Sequence, residues 1–256
     1  MTLPFGLDVA LGPVPVAALA AVPVIILLAY TVFGLTGFGS AVVASPLLAH
    51  IFPLAFVVPL QLLLDFSASV ALGTRVRDRV NRAEIARIAP FMLGGMAIGV
   101  TLLVNLPGRV LVLLLGVFVV VYGLVGLFGR VPSGRLGGGW AVPISVFGGI
   151  VSALFGTGGP IYVIYLSRRI ADPAALRATI TAVVLLSAFA RLALFGLAGL
   201  FARPGLVALA VLLLPVMAFG VALGMRLHKR LAPARVRKAV YGLLVANGLS
   251  LVGRGL

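Results

Sequence analysis

Two glycine-rich stretches interrupt long apolar runs of this sequence, and both have the properties needed to bind an anion. Residues 34–40 read Gly-Leu-Thr-Gly-Phe-Gly-Ser, and residues 153–159 read Ala-Leu-Phe-Gly-Thr-Gly-Gly. A helix broken in hydrocarbon leaves N–H and C=O groups that only protein or a water-filled cavity can satisfy. Because the helix N-terminus after such a break carries partial positive charge, each break predicts an anion site.

We predict that substrate contacts come from both breaks and from nearby polar side chains. The candidates are Gly37, Gly39, Ser40, Gln61, Gly156, Thr157, Gly158, Gly159, Tyr162, Ser187 and Arg191. The alternative is that the glycines only let helices pack closely, as small residues often do in membranes. Two breaks at equivalent places in two halves favour the binding-site interpretation, since such pairs mark the site of many transporters.

Asp65 and Arg191 are the residues charged at neutral pH that lie deep in predicted spans. A charge at the centre of a membrane costs at least about 2.5–3.5 kcal/mol, so it normally faces a partner or a cavity. Gln61 and Ser187 each lie four residues before one of these charges, on the same helical face. We predict that Arg191 is the counter-charge for an anion and that Asp65 accepts the coupling proton. The alternative is an ion pair that only locks two helices together.

The composition indicates that these elements lie in a membrane. Hydrophobic residues make up 62% of the 256 residues and charged residues 10%, and the mean hydropathy is +1.26. Most segments between charge clusters are apolar over about 18 residues, the length of a spanning helix. We therefore predict an all-α polytopic membrane protein. The predicted segments are residues 14–33, 40–52, 54–73, 88–104, 110–128, 140–155, 160–166, 174–201, 206–227 and 239–252.

The chain contains an internal repeat. Leu35, Gly37 and Gly39 match Leu154, Gly156 and Gly158 at a separation of 119 residues. After an insertion in the second half, further residues match at a separation of 126, including Pro107 with Pro233. Asp65 and Arg191 have the same separation, so they occupy equivalent positions although they differ in type. We predict a first membrane repeat over residues 1–129, a second over 140–256, and a cytoplasmic linker over 130–139.

Loop charges predict that the two repeats are inverted. Loop 74–87 is basic whereas its counterpart near residues 200–205 has one arginine, and the basic loop 226–238 corresponds to a turn with only Arg109. Basic loops stay in the cytoplasm, so equivalent loops should face opposite sides. With loops 75–87, 130–135, 168–177 and 226–238 inside, sixteen of the twenty basic residues are cytoplasmic. This predicts five plus five segments with both termini outside, or eight crossings if the short segments 40–52 and 160–166 are re-entrant.

Other classes of function have less support in the sequence. The net charge of +15 follows from the basic loops, so nucleic acid is not an expected partner. The chain has no cysteine and no cluster of acids or histidines, so we predict no enzyme activity, cofactor or metal site. An anion channel or a non-catalytic assembly partner is the alternative to a transporter. His50 is interpreted as an interface residue near the outer surface, and Asn247 as a hydrogen-bonding partner of a neighbouring helix.

The glycine breaks, Pro46 and the basic first-half loop resemble the sulfite exporter TauE/SafE family, also called the toluene-sulfonate uptake permease family. The resemblance implies a secondary transporter of sulfite, an organosulfonate or a related anion in the bacterial inner membrane. The chain departs from the family pattern at Ser40 and Pro160. Partners expected on this basis are the small anion and membrane lipid, and proton coupling and a homodimer are further hypotheses.

Overall fold

The structure, a computed structural model, describes residues 16–36, 39–71, 79–129, 134, 136–228 and 233–255. Within these ranges it consists of α-helices and two 3₁₀ turns, without a strand. The α-helices described are α1 (Val16–Thr36), α2 (Ser40–Leu48), α3 (Leu54–Ala71), α4 (Arg82–Asn105), α5 (Gly108–Phe128), α6 (Ala141–Phe155), α7 (Gly159–Ser167), α8 (Pro173–Leu197), α9 (Leu206–His228) and α10 (Pro233–Gly255). The prediction of an all-α protein is confirmed.

Several of these helices are suited to a membrane by length and composition. Among the described helices, α4, α5, α8 and most of α9 are long and apolar enough to cross, as is the unit Gly138–Phe155 that contains α6. Ala20–Leu35 and Leu54–Ser69 are shorter apolar stretches within α1 and α3. The structure therefore supplies five candidate spans and two shorter apolar helices.

Two helices are much shorter than the others. Helices α2 and α7 each have nine residues, which extend about 13 Å at the rise of an α-helix. The hydrocarbon core of a membrane is about 30 Å thick. Neither helix is therefore long enough to cross it, and both follow the glycine breaks at which the sequence predicted short segments.

Side-chain caps determine where two of the longer helices begin. The Asp172 carboxylate accepts hydrogen bonds from the N–H groups of Ala174 and Ala175 at 3.2 and 3.0 Å, so it caps the start of α8. The Asn81 side chain accepts from the N–H of Glu84 at 3.2 Å. Hydropathy places the start of this span at residue 88, but α4 begins at Arg82, because the cap rather than apolarity sets the helix boundary.

The first helix of each half packs against the fourth helix of the other half, α1 on α9 and α6 on α4. The crossings rely on glycine: a Cβ on Gly34 would meet the backbone of Gly224, and a Cβ on Gly149 would meet the backbone of Gly95. Helices α3 and α8 contact each other between these pairs, with the rings of Phe66 and Phe189 5.3 Å apart. The arrangement places α3 and α8, which carry Asp65 and Arg191, inside the bundle.

Candidate functional site

The described residues of the two glycine breaks meet at one cavity of about 350 Å³. Helices α2 and α7 begin at its wall, and α3 and α8 form its sides. The polar or glycine positions of the lining are Gly39, Ser40, Asp65, Ser69, Ser152, Gly156, Thr157, Gly159, Tyr162, Thr181, Ser187 and Arg191. The remainder is apolar: Phe33, Ala41, Val42, Pro160, Val163, Ile180, Val184, Leu185 and Ala188.

The backbone at both breaks has a conformation that favours glycine. Gly39, the residue before α2, has φ +95°, and Gly156, directly after α6, has φ +75°. A side chain at either position would therefore be strained. A Cβ on Gly39 would meet no atom within 4 Å, whereas one on Gly156 would lie 3.0 Å from the Ala41 Cβ and 3.6 Å from Arg191 Nη1. Gly39 thus leaves open space at the N-terminus of α2, and Gly156 lets Arg191 approach the backbone.

Asp65 is held by two hydroxyl groups from other helices. Tyr30 of α1 and Ser40 of α2 both donate to Asp65 Oδ1, each at 2.7 Å. Tyr30 is fully buried, whereas Asp65 is half-buried because it faces the cavity. The three residues connect the first three helices of the chain at the cavity wall, and the second carboxylate oxygen has no hydrogen bond to a described residue.

Arg191 is buried with few partners for its guanidinium. The residue is 5% exposed, and Nη1 donates to the carbonyl oxygen of Ser152 over a long 3.4 Å. Its Nε has no hydrogen-bond partner among the described residues. A guanidinium has five N–H donors, so Arg191 keeps unused donors at the wall of the cavity.

Hydroxyl groups from the second half surround the same end of the cavity. Ser152 and Ser187 share a hydrogen bond of 3.0 Å. Tyr162 and Thr157 are each 1% exposed, and neither hydroxyl has a hydrogen-bond partner within the described part of the chain. Buried hydroxyls are usually paired, so these two groups are available to a ligand in the cavity.

Three of the predicted binding residues are not placed in the lining. Gly37 lies outside the described residues. Gln61 lies behind the wall, where its Oε1 accepts from Ser45 Oγ at 2.8 Å. Gly158 packs against α6, because a Cβ there would lie 2.6 Å from the carbonyl oxygen of Gly148. The structure brings the other predicted residues together around the cavity.

Tyr30 and Ser152 belong to the site although sequence reasoning did not select them. Tyr30 lies within the first apolar run, about one helical turn before the glycine break that begins at Gly34. Ser152 lies four residues before Gly156, one helical turn away on the same face. A polar group deep in a span was therefore the available signal in both cases.

The cavity extends from Asp65 and Arg191 towards one end of the molecule. It reaches Ser69 near the end of α3 and Thr181 near the start of α8. The described residues of α8 that follow Arg191 do not line it. The arginines at the end towards which the cavity extends are Arg79, Arg82, Arg87, Arg168, Arg169 and Arg177.

A buried carboxylate organises part of this basic end. Glu84 Oε1 accepts from Arg169 Nη2 at 2.7 Å and from Arg87 Nη1 at 2.8 Å, and Glu84 Oε2 accepts from the Tyr165 hydroxyl at 3.1 Å. Hydrogen bonding to Glu84, followed by the charge of this carboxylate, raises the pKa of Arg169 above its ordinary value. The network ties α4 to the loop after α7. No group of three metal-binding side chains occurs in the described residues.

Comparison with known proteins identifies the family. The model of the family described as sulfite exporter TauE/SafE matches residues 22–251. The chain belongs to the sulfite exporter TauE/SafE family. This confirms the resemblance noted in the sequence and makes the protein a membrane transporter by family.

Two curated relatives agree with this assignment. Over 193 residues, covering 75% of this chain and 81% of the relative, the chain is 33% identical to the "probable inner membrane transporter protein TsaS" of Comamonas testosteroni. Over 223 residues, 85% of this chain and 87% of the relative, it is 26% identical to the "probable sulfite/organosulfonate exporter TauE" of Cupriavidus necator. No solved structure matches the chain significantly.

Proposed function

We propose that this TauE/SafE protein is a secondary transporter that moves a small anion, sulfite or an organosulfonate, across the bacterial inner membrane by alternating access. The observation that carries the proposal is the convergence of Arg191 and the N-termini of α2 and α7 on one cavity. One TauE/SafE relative is described as a sulfite/organosulfonate exporter. The predictions of an anionic substrate and a transporter therefore agree with the chemistry of the cavity.

Anion binding would satisfy groups that the protein leaves without partners. A buried, unpaired cation is costly, and Arg191 Nε is both buried and unpaired among the described residues. Tyr162 and Thr157 add hydroxyl donors, and the two helix N-termini add partial positive charge. A tetrahedral or pyramidal oxyanion has several acceptor oxygens and can use all of these donors at once.

Asp65 is the candidate for the coupling proton. Tyr30 and Ser40 fix one carboxylate oxygen, which leaves the other facing the cavity that also contains Arg191. A charged Asp65 would repel an anion at Arg191, whereas a protonated Asp65 would not. Proton and anion would therefore bind together, which is the thermodynamic requirement for co-transport.

Helix contacts support an internal repeat. A Cβ on Gly95 would meet the carbonyl oxygen of Val146, and one on Gly220 would meet that of Leu27. In the same way, Gly99 faces the carbonyl oxygen of Ile150, and Gly224 faces that of Thr31. Val146 and Leu27 are 119 residues apart in the sequence, as are Ile150 and Thr31, whereas the glycines of each pair are 125 residues apart. The contact of α4 with α6 and the contact of α9 with α1 are therefore equivalent residue by residue. The separation between equivalent residues of α4 and α9 is one less than the 126 inferred from the sequence.

The packing of α5 on α10 supports inversion of the halves. These helices are the last of each half, and they pack in opposite directions: Gly116 faces Gly248, and Arg109 Nε at the start of α5 donates to the carbonyl oxygen of Gly255 at the end of α10. Equivalent helices related by a two-fold axis along the membrane normal would be parallel. Antiparallel packing requires an axis in the membrane plane, as in other inverted-repeat transporters.

With basic loops in the cytoplasm, both termini lie outside, and the cavity is open towards the cytoplasm. Because α2 and α7 are too short to cross alone, we propose that each spans about half of the membrane, between the cavity and one surface, within the predicted range of eight to ten segments. The proposed homodimer is tested by the mass of the purified protein in detergent.

Ligand-dependent thermal unfolding tests the proposed site. A ligand that binds only the folded state stabilises it by about 2.7 kcal/mol at a hundred times its Kd. We expect sulfite or an organosulfonate, such as sulfoacetate or taurine, to raise the unfolding temperature of the purified protein. The Arg191→Gln variant should show no rise.

Counterflow in proteoliposomes then separates a transporter, which exchanges internal for external substrate, from a channel, which does not.

A further inference from the structure

Helices α2 and α7 begin at the cavity and end at opposite ends of the molecule. The end of α7 is tied to Glu84, near the start of α4. The end of α2 is tied to Arg254, near the end of α10, where α5 also starts. Helix α4 runs from the first of these ends to the turn before α5, and its 24 residues extend about 36 Å. His50 and Arg169, the residues that make these ties, are 119 residues apart and thus occupy equivalent positions in the repeat.

Helix α2 closes the route from the cavity to the end that contains His50. Its residues are buried with the exception of Leu47. Ser45 Oγ lies 2.8 Å from both Gln61 Oε1 and the carbonyl oxygen of Phe155, so it links α2 to α3 and α6. Opening this route requires α2 to move away from these neighbours.

The contacts of His50 determine its protonation state. Arg254 Nη1 lies 2.7 Å from His50 Nδ1, and it also donates to the His50 carbonyl oxygen at 3.3 Å. Arginine can only donate hydrogen bonds, so Nδ1 is an acceptor and carries no proton. Nε2 therefore has the proton and donates to Asn247 Oδ1 at 2.9 Å. The contact of Nδ1 with Arg254 therefore requires a neutral imidazole, whereas Nε2 can donate to Asn247 in either charge state.

We propose that the contact between His50 and Arg254 is a latch that keeps the outer end of α2 closed, and that a proton from the outer side opens it. Protonation of Nδ1 would remove the acceptor for Arg254 and place two cations side by side. This inference rests on the proposed alternating access and orientation. It assigns a regulatory role to a residue outside the binding site.

Within the described part of the chain, no neighbouring charge offers a protonated His50 a substitute partner. Arg254 is the charged side chain bonded to it, and Asn247 is neutral. Arg109 of α5 adds a further cation beside them, on the carbonyl oxygen of Gly255. The described residues in contact with His50 supply no carboxylate. The equivalent tie in the other half joins Arg169 to Glu84, a pair that stays charged near neutral pH, so a proton does not break that tie in the same way.

The chain has no cysteine, so a single introduced cysteine reports on the outer route. Ser45→Cys is a nearly isosteric reporter at a fully buried position, and Leu48→Cys, also fully buried, is a second reporter if the first perturbs folding. The rate of labelling by an impermeant thiol reagent from outside is measured in proteoliposomes at about pH 5 and pH 8, the range over which histidine changes charge. Each reporter is combined with His50→Asn, which keeps an acceptor oxygen but cannot gain a proton.

The labelling rate of each reporter is divided by that of the same reporter combined with His50→Asn, at the same pH, which cancels the intrinsic pH dependence of thiol reactivity. We expect a ratio near one at the higher pH and about tenfold at the lower pH, as for the loss of one charged hydrogen bond. A reporter combined with Arg254→Met should be labelled fast at both pH values. The control Arg203→Gln, which removes a charge from the same end, should label like the reporter alone. An equal ratio at both pH values, or slow labelling of the Arg254→Met variant, would overturn the latch.

Thermal stabilisation by sulfite and an organosulfonate is measured on the same proteins. If these ligands stabilise the protein but the labelling ratio does not change with pH, the latch is wrong and the proposed function stands. If the labelling ratio changes with pH but no ligand stabilises the protein, the proposed function is wrong and the latch stands.

Discussion

Asp65 and Arg191 line the same cavity but do not form an ion pair. Among the described residues, ion pairs with an N···O distance up to 4.0 Å join Glu84 to Arg87 and Arg169, and none joins Asp65 to Arg191. Asp65 is instead held by Tyr30 and Ser40, and Arg191 by the carbonyl oxygen of Ser152. Each of the two charged groups therefore keeps free hydrogen-bonding capacity for a ligand or a proton.

This separation predicts distinct effects for the two neutral variants. Arg191→Gln should lose anion affinity by about 1.5–3 kcal/mol, because it removes a charge-assisted hydrogen bond. Asp65→Asn should retain anion binding and weaken the pH dependence of transport, since the amide cannot take up the coupling proton. Ligand affinity and uptake against pH are measured for both variants in one proteoliposome preparation.

The double variant Asp65→Asn/Arg191→Gln is the control for a purely structural role. If the two charges only stabilise each other, removing both should restore the stability and transport lost in each single variant. We expect no restoration of transport. Uptake at the wild-type rate by the double variant would remove both residues from the proposed site.

The structure assigns different roles to two glycines for which the sequence predicted the same one. Gly39→Leu should fold at a cost of about 1–2 kcal/mol, because its backbone has φ +95° and a left-handed conformation is unfavourable for leucine. It should lose ligand stabilisation, since its side chain would project where a Cβ meets no atom within 4 Å. Gly158→Leu should instead destabilise the fold by about 1–3 kcal/mol or more through overpacking, because a Cβ there meets the Gly148 carbonyl oxygen and Ser152. Thermal unfolding with and without sulfite measures both effects. A rise of the unfolding temperature of the Gly39→Leu variant on addition of sulfite would contradict the role assigned to Gly39.

The sequence predicted the helical fold and much of the cavity because both depend on local signals. Apolar runs identified the helices, and the glycine breaks identified the starts of α2 and α7 to within a residue. Intramembrane charge identified Asp65 and Arg191, since uncompensated charge in a span is rare enough to be informative.

Contacts between distant helices could not be predicted in this way. The hydrogen bond of Tyr30 with Asp65 depends on how α1 packs against α3, and an isolated tyrosine in an apolar run gives no indication of its partner. The tie between His50 and Arg254 joins residues 204 apart. Gly158 and Gly159 are adjacent and chemically identical, yet only Gly159 reaches the cavity, because the start of α7 turns one of them towards α6.

Glu84 should contribute strongly to stability at the basic end. Its side chain is 7% exposed and accepts from Arg87, Arg169 and Tyr165. Glu84→Gln removes the charge and presents an amide donor to two guanidinium groups, so we expect a loss of about 1–3 kcal/mol. Arg87→Gln is the matched control: its side chain is 41% exposed, and such pairs contribute about 0–1 kcal/mol. Chemical or thermal unfolding in detergent gives both values, and a larger effect for Arg87 would contradict the network.

The orientation of the halves predicts a labelling pattern for three further single cysteines. Arg82 is the first residue of α4 in the first half, Gly205 directly precedes α9 in the second, and Lys229 lies in the second basic loop, outside the described residues. Inverted halves place residues 82 and 205 on opposite sides of the membrane. An impermeant thiol reagent applied outside intact cells should therefore label Gly205→Cys and leave Arg82→Cys and Lys229→Cys unlabelled until the membrane is permeabilised. Labelling of positions 82 and 205 from the same side would mean that the halves are parallel, and the antiparallel packing of α5 on α10 would then need an explanation other than a two-fold axis in the membrane plane.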